Sequence, residues 1–215
     1  MNRKQFFILL AALVLLVAAG AGVIFSERSA WKSADSRIGQ KLVAGLTIAE
    51  VAEILIQEPG TALTLKKQAE GWRVLQPVDS PADVERIGNL LLKLQEIKVV
   101  QTEAVPESLR AALQLKEPKE AQEPGAGTRL ELKDAGGKVL ARLLLGKKVL
   151  KPREGAPAGV EGTPAGRYIL VGSEQANAVI ISDPLLQVEA KPDAWIARAQ
   201  ASPAPESPKP ELKKG

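Results

Sequence analysis

One block of hydrophobic positions stands apart from the rest of the chain. Residues 6–25 read FFILLAALVLLVAAGAGVIF, with no charged or strongly polar side chain on any face. At about 1.5 Å per residue a helix of this length covers ~30 Å, the thickness of a hydrocarbon core. Thirteen of the 20 residues are Phe, Ile, Leu or Val. Such residues favour mid-membrane insertion by roughly 0.3 to 0.6 kcal/mol each, so the run favours it by several kcal/mol as an upper bound. The pattern therefore predicts a transmembrane helix from Phe6 to Phe25. Arg3 and Lys4 precede it, whereas Glu27 and Arg28 cancel after it. Positive-inside bias keeps residues 1–5 cytoplasmic and sends the remainder across. The rival reading is a cleaved signal peptide, with Ala19-Gly20-Ala21 as the small-residue site. Against it, Val23-Ile24-Phe25 resumes the apolar run and completes a full span. Either way the body lies outside the cytoplasm.

After the span the pattern turns polar. Residues 26–40 read as a juxtamembrane linker, with Trp31 placed either at the membrane interface or against the domain that follows. The body is expected over 41–200. A short apolar run ends at Ile54-Leu55-Ile56, and Glu58-Pro59-Gly60 supplies turn chemistry. Leu63 and Leu65 then alternate with polar residues, as do Trp72 and Val74 beyond the turn at Glu70-Gly71, which is the period of half-buried strands. A three-stranded antiparallel meander is predicted.

From 81 to 97 the period changes. Val84, Ile87, Leu90, Leu91, Leu94 and Ile97 recur three and four residues apart, one apolar stripe of an amphipathic helix. Ser80 is placed as its N-cap, Pro81 at the first helical position and Asp83 as a first-turn acid. Val99-Val100 predicts another strand, 106–113 a short helix, and 116–127 a polar loop. Leu130 and Leu132 face Val139, Ala141, Leu143 and Leu145 across a hairpin turned at Asp134-Ala135-Gly136-Gly137. Residues 147–166, rich in Pro and Gly, read as a long loop. Two strands follow at 168–171 and 178–181, then a short helix near Trp195. The tail 201–215, with four prolines and three lysines, reads as disordered. The fold class is α+β: a largely antiparallel sheet, meander plus hairpin, packed by one long amphipathic helix and preceded by the transmembrane helix. No repeated residue pattern marks a duplication.

Composition narrows the chemistry. The chain of 215 residues has no His and no Cys. Disulfides, thiolate metal sites, Cys-His dyads and Ser-His-Asp triads are excluded within it. Without Arg3 and Lys4 the remaining chain carries 27 basic against 25 acidic side chains, interspersed. Nucleic acid is a poor partner for so balanced a surface. The densest basic group, Lys147, Lys148, Lys151 and Arg153, reads as a solvated loop. All three Phe lie in the apolar run, so few aromatics are left for stacking on sugars or bases. Trp72 and Trp195 read as core residues.

The remaining motifs are sparse. Ser29-Ala30-Trp31-Lys32 has the spacing of some Ser/Lys acyl enzymes but stands in the linker without companion motifs. Phosphate-binding glycine loops and nucleophile elbows are absent. Asp79 with Asp83, or Glu50 with Glu53, are formal carboxylate pairs for glycoside hydrolysis, each read more simply as a cap or solvated face. No catalytic residue, cofactor or metal is assigned. The assigned positions are those of membrane topology: Arg3, Lys4, Phe6 and Phe25.

Several segments together carry a family resemblance. They are the opening MNRKQFFILL, Gly71-Trp72-Arg73-Val74, the helix from Pro81-Ala82-Asp83 through Leu90-Leu91-Leu92-Lys93-Leu94, the run Leu143-Leu144-Leu145-Gly146-Lys147, and Gly166-Arg167-Tyr168-Ile169-Leu170-Val171. Over residues 1–197 the chain resembles the bacterial domain of unknown function 4340. The resemblance implies a membrane-anchored extracytoplasmic protein, and some members of the family are similar to auxiliary components of gliding-type ABC transport systems. It supplies no catalytic residues. The expected function is thus a single-pass inner-membrane protein. Its periplasmic domain would bind a membrane or envelope protein as an accessory to an ABC-type transport system, without catalysis of its own. The alternatives are a carboxylate-dependent hydrolase of envelope polysaccharide and, if the N-terminus is cleaved, a secreted soluble binding protein.

Overall fold

A computed structural model describes residues 37–75, 79–119, 123–152, 162–172 and 177–197. Arg3, Lys4, the 6–25 run, Ser29, Trp31, Lys32 and the 201–215 tail lie outside these residues. Among the described residues no helix is long and apolar enough to cross a membrane.

The alternation read from the sequence builds the sheet. Strands β1 (Glu53–Glu58), β2 (Thr61–Gln68) and β3 (Gly71–Val74) form the expected meander. Ile54 stands between Leu65 and Leu132, and Ile56 between Leu63 and Leu130, so one face of β1 is aliphatic on both flanks. Gly60, at φ 79°, makes the first turn in a conformation that costs a residue with a Cβ. A two-residue strand β4 (Ser80–Pro81) adds to β3, and β5 (Val99–Ala104) follows the helix. The expected hairpin joins β6 (Thr128–Lys133) to β7 (Val139–Lys151). At its turn the Asp134 carboxylate accepts from the amides of Gly136 and Lys138, each at 2.9 Å. Strands β8 (Thr163–Val171) and β9 (Asn177–Ile181) complete a nine-stranded sheet among the described residues. Its order is β4-β3-β2-β1-β6-β7-β8-β9-β5, with every pairing antiparallel.

Two expectations need correction. Helix α1 runs Val84–Glu96 and its N-cap is Asp83, whose carboxylate accepts from the Arg86 amide at 2.9 Å. Ser80 and Pro81 are not available to the helix because β3 pairs with them. Val84, the first residue of the predicted stripe, is 58% exposed, while Ile87, Leu90, Leu91 and Leu94 are buried. The second correction concerns 147–166, whose two ends are strand. Lys148 pairs with Arg167, Val149 with Gly166, Leu150 with Pro164 and Lys151 with Thr163, across two register shifts. Pro164 is tolerated because β9 pairs only with residues 167–169 of β8, leaving this stretch an edge. Residues 153–161 lie outside those described.

The main core lies between the sheet and α1. It is closed by the entry segment (Leu42, Val43, Leu46) and by the exit segment (Leu185, Val188, Ala190, Trp195). Trp195 is fully buried next to a 3-10 turn at Pro192–Ala194, whereas Trp72 is half-buried against the same core. A second, smaller core occupies the other face of the sheet. Val105, Leu115, Leu144, Leu170 and Ala178 cluster there with Leu113 and Tyr168, from the strands and from the chain around the short helix α2 (Glu107–Arg110).

Tyr168 gives the second core a pH signature. Burial, followed by the nearby charge of Glu103 and a hydrogen bond to it, raises the phenol above its ordinary value of 10.0. A raised folded-state pKa contributes stability that is present below pH ~10 and drains away as pH rises through the folded value. Melting curves between pH 9 and 12 should therefore fall more steeply for the wild type than for Tyr168→Phe. Equal slopes would contradict the assignment.

Candidate functional site

Three of the four carboxylates in the formal pairs have a local structural partner. Asp83 caps α1, and Asp79 accepts from Arg73 Nε at 2.6 Å. This contact, the largest of several effects, raises the already basic Arg73 guanidinium further. Glu53 lies 3.1 Å from Lys133 and 3.7 Å from Lys66, while Glu50 sits in a 3-10 turn at Ile48–Glu50. Among the described residues no group of three or more acidic side chains is placed to hold a metal ion.

Glu53 belongs to a larger lattice on the sheet face away from α1. The outward residues of β1, β2, β6 and β7 interlock there. Glu131, only 4% exposed, contacts Arg142 at 2.6 Å, Arg129 at 3.8 Å and Lys133 at 3.9 Å. Arg129 also donates to Gln57 and lies 3.7 Å from Glu117. The strict alternation that buries Ile54, Ile56, Leu130 and Leu132 on one face puts these charges together on the other. Glu131, nearly out of water, is held by three cations that keep partial access to solvent, so the lattice is a paired polar face with its anion at the centre.

A second arrangement lies at the end of the sheet where the β1–β2 turn, the start of β6 and the middle of β7 and β8 come level. A cleft of about 530 Å³ opens there, lined among others by Glu58, Gln114, Gly127, Thr128, Leu145 and Arg167. Its loop wall is held by backbone bonds from Lys116 to Gly125 and from Gly127 to Lys116, and by Gly60 donating to Lys119. Gly127 is required at this crossing, because a Cβ would collide with the carbonyls of Gln114 and Leu145. Gln114 itself takes φ 54°, a sparsely occupied conformation for a residue with a side chain. Arg167 is 8% exposed. Its Nε donates to the Gly146 carbonyl at 2.8 Å and its Nη1 to the Pro184 carbonyl at 3.4 Å. Burial lowers its pKa, and the charge of Glu58 opposes that shift.

Composition does not single out Arg167, because a lone arginine in a strand carries no chemical motif. The available signal was its position: it shares strand parity with Ile169 and Val171, on the face that packs against the core.

No family model, no curated protein and no solved structure matches the chain. No family model supports the expected resemblance to domain of unknown function 4340. The assigned topology residues Arg3, Lys4, Phe6 and Phe25 lie outside the described structure.

Proposed function

We propose that this is a single-pass membrane protein with an extracytoplasmic domain that acts by contact with other envelope proteins. In this reading it is an accessory to an ABC-type transport system in a bacterial inner membrane and performs no chemistry of its own. The observation that carries the reading is the uninterrupted 6–25 run behind Arg3 and Lys4. A chain held at the membrane surface meets other membrane proteins at high effective concentration, so modest contact areas suffice for function. The resemblance noted above supplies the transport context. The polar face of β2, β1, β6 and β7 supports it as well: it mixes both charge signs, which favours a selective protein contact over a polyanion.

The test is affinity purification of the full chain from native membranes in mild detergent, after brief cross-linking. Reproducible recovery of a transporter permease or ATPase subunit is the expected result. Recovery of no membrane partner in repeated preparations would remove the accessory role.

A further inference from the structure

The Arg167 cleft is independent of the membrane reading and has a chemistry of its own. An arginine carries five N–H donors. Two of those on Arg167 go to the carbonyls of Gly146 and Pro184. Neutral carbonyls position the guanidinium, and among the described residues no carboxylate lies within ion-pair distance of it; the charge of Glu58 supports it only from farther off. A cation held more than nine-tenths out of water with no carboxylate in contact is costly unless something anionic reaches it. The remaining three donors can present a planar fork to such a group.

The rest of the cleft limits what that group is. Glu58, at the end of β1, lines the same space and likewise has no ion pair among the described residues. Glu123 lines it too, but is occupied by Lys119 at 3.2 Å and Lys116 at 3.7 Å. Two carboxylates at the walls disfavour a multiply charged anion such as phosphate. They suit a ligand that brings one negative group to Arg167 and one positive group to Glu58. The lining between them is peptide-like in its needs: Pro59, Pro124 and the backbone of Gly125–Gly127 offer shape and a few polar groups, with no aromatic platform. The cleft is open to solvent, and about 530 Å³ is room enough to seat a short peptide along it.

We propose that this cleft binds a short zwitterionic peptide, its terminal carboxylate on Arg167 and its ammonium directed at Glu58. The guanidinium is pre-positioned by the two carbonyls, so little side-chain freedom is lost when the carboxylate docks. Selectivity for a free carboxylate over an amide follows from the charge, and selectivity for a free amine follows from Glu58.

The experiment is isothermal titration of the detergent-solubilised full chain with dialanine, trialanine and tetraalanine. The trialanine series includes the C-terminal amide and the N-acetyl derivative, and inorganic phosphate is the control anion. At least one free peptide should bind saturably. Amidation should weaken binding about tenfold or more, a factor worth ~1.4 kcal/mol. Acetylation should weaken it several-fold in the wild type and have no effect in Glu58→Gln, an isosteric change at a half-buried strand end outside the core. Arg167→Gln should abolish the preference for acid over amide. Should that variant fail to fold, the amide comparison in the wild type carries the same information. Absence of saturable binding by every free peptide, equal binding of acid and amide, or phosphate binding as tightly as the peptides would each overturn the proposal.

Discussion

Trp195→Ala is expected to cost the domain about 3–5 kcal/mol of stability, the range for removing a fully buried large aromatic. Three features put it at the top of that range. Its ring is completely covered, and its Nε1 donates to the Glu189 carbonyl at 2.8 Å. The Arg86 guanidinium lies 4.8 Å from the ring centroid, a cation–π contact that anchors the exit segment to α1. The backbone around it ties the same elements together. Asp83 donates to the Trp195 carbonyl at 2.7 Å, and Ala197 donates to Pro81 at 2.9 Å. Removing the ring thus opens a cavity where the N-cap of α1, β4 and the chain end meet. A fall in melting temperature on the order of 10 °C is expected. Trp195→Phe keeps most of the buried area and loses the indole donor, so its fall should be a fraction of that. Denaturant melts of the two variants decide the matter: an alanine variant within ~1 kcal/mol of wild type would mean that the exit segment does not seal the core.

The second large effect concerns location. Excising residues 6–25 removes all 13 strongly apolar residues of the run, worth roughly 4 to 8 kcal/mol of insertion free energy as an upper bound. At a factor of ten for each ~1.4 kcal/mol, the shortened chain should shift wholly from the membrane to the soluble fraction after an alkaline wash. The intact chain should stay in the pellet. Mass measurement of the intact, membrane-extracted chain separates anchor from signal peptide: an unprocessed N-terminus is expected, whereas cleavage after Ala21 would make the protein a secreted one. A shortened chain that remains in the washed membranes would show that something other than the run holds it there.

Much of the sheet could be read before the structure, and the reason is periodicity. Where one face is aliphatic and the other charged, as at Leu130-Glu131-Leu132-Lys133, the alternation leaves one consistent register. The meander at 54–74 and the hairpin at 130–145 were legible for that reason. The stripe of α1 was legible too, but its start was not. Ser80, Pro81 and Asp83 are each acceptable at a helix N-terminus, and only pairing of Ser80 and Pro81 with β3 selects Asp83. The ends of the 147–166 segment were hidden because local composition reads Pro and Gly as loop. The strand there depends on a non-local partner and on an edge that spares Pro164 a missing hydrogen bond. The second core was hidden by the unbroken run Leu143-Leu144-Leu145, whose middle residue faces away from the other two. Arg167 was out of reach for a similar reason, since its cleft is assembled from segments more than a hundred residues apart.

The proposed role depends on which side of the membrane the folded domain occupies. The direct measurement is a pair of fusions behind Gly215, one to an enzyme that matures only outside the cytoplasm and one to a fluorescent protein that matures only inside it. The extracytoplasmic reporter should be active and the cytoplasmic one dark, and reversing Arg3 and Lys4 to Glu should reduce that contrast. A bright cytoplasmic fusion with a silent extracytoplasmic one would contradict the orientation and, with it, the proposed role.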